Sequence, residues 1–159
     1  MQPRDRSAVV VCIGNELVAD DAAGFEVHGR LAGIGARLEY LGVAGIDLLD
    51  LLEGETDLVI VDAVQLGAAL GTVHVLDWGD LPSCGGEISG HGVGLRESIE
   101  IGRFLFPERV PERVTLVGIE GRCFNQTREH MTAEVAGAID RAAAAVRELV
   151  RGGRHGQEC

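Results

Sequence analysis

At 159 residues and 16.8 kDa the chain is sized for one domain. Its 25 acidic and 14 basic side chains leave a formal charge of −11, which argues against a broad nucleic-acid or anionic-membrane surface. All of those basic residues are arginine, so an intrachain Schiff base, a pyridoxal-phosphate aldimine and a Walker-type phosphate-binding lysine are excluded.

Met1 to Ser7 is polar, and the apolar run after it, Ala8 to Ile13, is too short for the apolar region of a signal peptide or for a membrane span. Ala8–Ile13 instead has the length and continuous apolarity of a parallel strand covered on both faces. From Asp21 the period changes, with Ala23, Val27, Leu31 and Ile34 at helical spacing and Asp20 or Asp21 placed to cap the start. A weaker strand is expected at Arg37–Leu41, then a short helix from Ile46 to Glu53 ended by Gly54. Asp57–Asp62 is a second buried strand. Thr72–Leu76 follows too closely for a crossover helix, so it is expected to run antiparallel to its predecessor.

The stretch from Leu81 to Gly92 reads as a long loop, of the kind that is functional or mobile. Leu95, Ile99 and Phe106 mark one face of a helix, and Val114–Ile119 is the last strand. Val135, Ile139, Ala142, Val146 and Leu149 step along a closing helix, with a frayed tail expected from Gly152 to Cys159. The alternation predicts a single α/β domain over residues 1–159 with its core at about 8–150. It would be a three-layer sandwich, with a mostly parallel twisted sheet of about five strands, one of them antiparallel, and helices on both faces.

Ligands of open α/β sheets bind beyond the carboxyl ends of the strands. Three chemistry-bearing residues belong there: Glu16, in the turn after the first strand; Asp62, ending the third; and His91, in Ser89-Gly-His-Gly92 before a helix. Two carboxylates and an imidazole on different segments are a donor set that suits nickel, zinc or a similar divalent ion. Each also has an ordinary use: Glu16 as a solvated loop carboxylate, Asp62 as a turn or helix cap, and His91 as a loop histidine. The four cysteines, Cys12, Cys84, Cys123 and Cys159, form no C-x-x-C pair and suggest neither a disulfide framework nor a cysteine zinc site. Cys84 with His91 is a conceivable thiol–imidazole pair. No G-x-S-x-G elbow, H-E-x-x-H helix or dinucleotide fingerprint is present. A soluble, cytoplasmic protein is the expectation.

Gly14-Asn-Glu-Leu-Val-Ala-Asp-Asp-Ala-Ala-Gly24 resembles the opening motif of the hydrogenase maturation endopeptidases, which process the large subunit of [NiFe] hydrogenases. The resemblance continues through Ala44–Leu49, Asp57–Ala63, Gly71–Val73, Ser89–Leu95 and Val114–Ile119, about residues 8 to 150 in all. It implies an endopeptidase that removes a C-terminal extension from the nickel-loaded large-subunit precursor. Glu16, Asp62 and His91 match the family's nickel-contacting positions. The substrate would supply the nickel, so no permanently bound cofactor is implied, and neither nucleic acid nor membrane is a partner. A non-catalytic nickel- or precursor-binding chaperone is the alternative. The chain departs from the family at Tyr40-Leu-Gly-Val43, where an acidic residue followed by Gly-Gly-Thr is common, and at Ala22, where glycine is frequent.

Overall fold

The computed structural model describes residues 7–43, 45–81 and 94–155. The aliphatic runs form a five-stranded sheet of β1 (Ala8–Ile13), β2 (Arg37–Leu41), β3 (Asp57–Val64), β4 (Val73–Asp77) and β5 (Arg113–Glu120). Its order is β2-β1-β3-β5-β4. The first four strands in that order are parallel, and β4 joins β5 antiparallel, Val75 opposite Val117. The direction of β4 is as the short link requires, but β4 does not lie beside β3. The later strand β5 inserts between them, and the Gly-rich turn after β3 carries the chain across that gap.

Side-chain alternation splits the core in two. One layer packs Val9, Val11, Ile13, Leu58, Ile60, Val64 and Leu116 against α2 (Asp47–Leu51) and α3 (Gly94–Leu105). The opposite layer packs Val10, Cys12, Val59, Val61, Val117 and Ile119 against α1 (Ala23–Gly29) and α4 (Ala133–His155). Burial pushes the Cys12 thiol up to about 12, so it serves as a small apolar core residue.

Local differences from the expected pattern have physical reasons. The first helix begins as a 3-10 turn at Asp20–Ala22 and ends at Gly29, yet Leu31 beyond it is still buried. Ala22 sits in the right-handed helical region, so its methyl group replaces glycine without strain. Phe106 lies past the end of α3 and is 40% exposed, under the Arg109 guanidinium at 5.9 Å. The closing helix runs to His155, past Gly152.

Two glycines let the chain turn at the end of β1. A Cβ on Gly24 would lie 2.0 Å from the Ile13 carbonyl oxygen, and one on Gly14 would lie 2.1 Å from that of Asp21. Helix α1 therefore crosses directly over the strand end, and only hydrogen fits between them. Gly24→Ala is expected to destabilise the fold by at least about 2 kcal/mol through overpacking against backbone. Urea denaturation would measure this, and a loss below about 0.5 kcal/mol would contradict such a close approach.

Candidate functional site at the carboxyl end of the sheet

Glu16 is exposed, on the turn that follows β1. Asp62 is fully buried near the end of β3, where its Oδ1 accepts the Ala63 N–H at 2.8 Å. Strands β1 and β3 are parallel neighbours, with Cys12 paired to Val61, so both carboxylates emerge at the same end of adjacent strands. By alternation Asp62 shares the sheet face of Ile60 and Val64, the face covered by α3. His91 lies just before α3 in sequence, but it falls outside the described residues, as does Cys84. Among the described residues no group of three or more His, Cys, Asp and Glu gathers in a way that could hold a metal.

The turn bearing Glu16 is held from several sides. The Gly14 N–H donates to the Leu41 carbonyl at 3.0 Å, tying the turn to β2. The Tyr40 hydroxyl donates to the Gly14 carbonyl at 2.5 Å. The Asn15 N–H donates to Asp21 Oδ2 at 3.1 Å, and Asn15 Oδ1 accepts the Leu17 N–H at 2.9 Å, closing an Asx turn around Glu16. Burial pushes the Tyr40 phenol above its ordinary value. The Glu16 N–H opposes that rise, and the nearby Glu16 and Asp21 carboxylates add to it, so the hydroxyl stays a donor at neutral pH.

Asp20 and Asp21 are not helix caps; neither side chain caps the turn or helix that they precede. Asp20 is fully buried, and its carboxylate accepts the N–H groups of Arg122, Cys123 and Thr132 and the Thr132 hydroxyl at 2.7–2.9 Å. Burial alone would raise its pKa, but the four donors outweigh burial and hold the carboxyl below its ordinary value. The segment after β5 is thereby laid along the Glu16 turn. The Ala19 N–H reaches the Gln126 carbonyl, the Arg128 N–H reaches the Leu17 carbonyl, and Val18 bridges Thr127. Another buried carboxylate, Glu120, accepts the Leu66 and Ala68 N–H groups and so shapes the turn after β3. In sequence, Asp20 and Asp21 ahead of an apolar helix look like caps. Their distant partners carry no local signal.

A cavity of about 1180 Å³ lies at the other end of the sheet, lined by Ala8, Arg37, Asp57, Trp78 and Arg113 among others. Ala8, Arg37, Asp57 and Arg113 are the first residues of the parallel strands, so this space is remote from Glu16 and Asp62.

Comparison with known proteins shows the family. The model of the hydrogenase maturation protease family matches residues 40–149. The chain belongs to the hydrogenase maturation proteases. Asp62 and His91 lie within the matched span, and Glu16 precedes it. The hydrogenase expression/formation protein HupD of Rhodobacter capsulatus is 34% identical over 149 residues, which cover 89% of this chain and 70% of that relative. HupD of Rhizobium leguminosarum bv. viciae is 29% identical, over 84% of this chain and 69% of its own. Among solved structures, the hydrogenase maturating endopeptidase HybD of Escherichia coli superposes with a TM-score of 0.76 at 27% identity, over 92% of this chain and 93% of that one. The [NiFe] hydrogenase maturation protease HybD of Thermococcus kodakarensis matches in fold with the same TM-score at 21% identity, over 91% and 99%. No helix among the described residues is long and apolar enough to cross a membrane.

The Asp20 cluster has a pH signature. Its folded pKa is depressed, so its contribution is complete above the unfolded aspartate value of about 3.9 and is lost as pH falls through that value toward the folded one. Asp20→Asn is expected to cost about 1.5–3 kcal/mol near neutral pH, the range for hydrogen bonds to a charged group. The difference from the native protein should narrow below about pH 4. Urea midpoints at neutral and acid pH check both, and a pH-independent difference would refute the ionised carboxylate as the cause.

Proposed function

We propose that this protein is an endopeptidase that removes the C-terminal extension from the nickel-loaded precursor of a [NiFe]-hydrogenase large subunit, with Glu16, Asp62 and His91 contacting the nickel carried by that substrate. The observation that supports it most directly is the emergence of Glu16 and Asp62 together at the carboxyl ends of neighbouring parallel strands, in a chain of the maturation-protease family.

The two carboxylates differ in a way that divides the work. Asp62 is shielded from water at the strand end, where a negative charge attracts a divalent cation more strongly than it would in solvent. It is the anchor. Glu16 faces solvent on a fixed turn, which suits it to meet the incoming precursor and a water molecule together. In hydrolysis the water oxygen bonds to the scissile carbonyl carbon, the C–N bond breaks and a proton passes to the leaving amine. Glu16 is positioned to accept the water's proton and return it. The substrate's nickel supplies a binding handle, and in the cutting step it would polarise the carbonyl or the water. The charge of −11 also favours approach of a cationic centre.

Nickel-loaded precursor is expected to be shortened and nickel-free precursor left intact, as read by mass spectrometry. Glu16→Gln, Asp62→Asn and His91→Ala should each lower kcat/KM on the loaded precursor by roughly 100-fold, about 2.7 kcal/mol. Glu16→Gln should retain more precursor binding than Asp62→Asn, because its loss falls chiefly on kcat. Binding of the loaded precursor by the native protein with no change in mass would favour a holding chaperone, and equal cutting of both precursors would refute the reading. Full activity of Cys84→Ala is expected, and its loss would point to a thiol nucleophile instead.

A further inference from the structure

Tyr40, on β2, is the only tyrosine in the chain. Its ring is fixed edge-on to Phe25, with centroids 5.5 Å apart at 70°, and lies 5.8 Å from the His28 ring. A ring held on two sides leaves its hydroxyl little freedom. That hydroxyl donates to the Gly14 carbonyl at 2.5 Å, so it holds the turn two residues before Glu16. At the outer edge of the sheet, β2 also gives the Leu41 carbonyl to the Gly14 N–H.

We infer that Tyr40 is a positioning residue of this particular chain: its hydroxyl latches the Gly14–Glu16 turn to β2 and so sets where the Glu16 carboxylate meets the substrate. The role rests on the proposed function of Glu16, but the latch itself is testable apart from it. A phenol provides a donor and bulk at this place without adding a further negative charge beside Glu16 and Asp21.

Tyr40→Phe keeps the ring contacts and removes only the latch. Backbone ¹⁵N relaxation should show the order parameters of Glu16 and Leu17 falling from the rigid range, about 0.85, to below about 0.6, while that of Gly118 in β5 is unchanged. The kcat/KM on the nickel-loaded precursor should fall about 10-fold in Tyr40→Phe, chiefly through kcat, with no further loss when the substitution is added to Glu16→Gln. Unchanged order parameters would overturn the latch, and additive losses would overturn its action through Glu16. If Glu16→Gln binds and cuts the loaded precursor normally while Tyr40→Phe still loosens the turn, the proposed function fails and the latch survives as a structural device. Should Tyr40→Phe not fold, ultraviolet resonance Raman of the native protein reads the lone phenol directly. A hydroxyl donating to a carbonyl supports the latch, and one bonded only to water overturns it.

Discussion

A carboxylate sealed from water has lost its hydration, and Asp20 recovers it from four donors on a segment more than 100 residues further along the chain. No nearer group supplies those hydrogen bonds, so the end of β1 and the segment after β5 form their final geometry together. Breaking the cluster would leave a buried charge unpaired and orphan three backbone N–H groups at once. The geometry around Glu16 depends on this constraint, since the segment laid down by Asp20 is the one that bonds Leu17 and Ala19.

The same device recurs at the rim. Asp21 holds Asn15, and Glu120 holds the turn at Leu66 and Ala68, so internal carboxylates orient the connections after β1 and β3. Main-chain donors, unlike long basic side chains, lose little rotamer entropy when they are bound.

Much of this was legible in the chain and some was not, for definite reasons. β1, β3 and β5 announce themselves as continuous apolar runs because both sheet faces are covered, but Asp62 does not end β3 as its polarity suggests, since the strand runs on through buried Ala63 and Val64. The neighbour of β4 was hidden, since a short connection fixes direction but does not say which strand will later slot in between. Asp20 was misread because an aspartate ahead of a helix has a local use that is usually sufficient, and only tertiary structure reveals donors in another segment. Phe106 matched the helical spacing of Leu95 and Ile99, yet periodicity does not register where α3 stops. Tyr40 was visible only as a departure from the family pattern. Its meaning comes from the register that brings β2 alongside the end of β1, with Cys12 opposite Tyr40.

That departure bears on electrostatics. Glu16 and Asp21 already press on the space around the Tyr40 hydroxyl, and both oppose ionisation there. A carboxylate in its place would add a third negative charge to a small volume, and like charges at short range raise one another's pKa until one takes up a proton. A phenol avoids the conflict because it is neutral at physiological pH and donates where a carboxylate would have to accept. The Gly14 carbonyl, an acceptor that a carboxylate could not satisfy, instead receives a hydrogen bond. Glu16 thus sits on a turn whose Gly14, Asn15 and Leu17 backbone groups are hydrogen-bonded. The proposed contact of Glu16 with a substrate cation requires that fixed position.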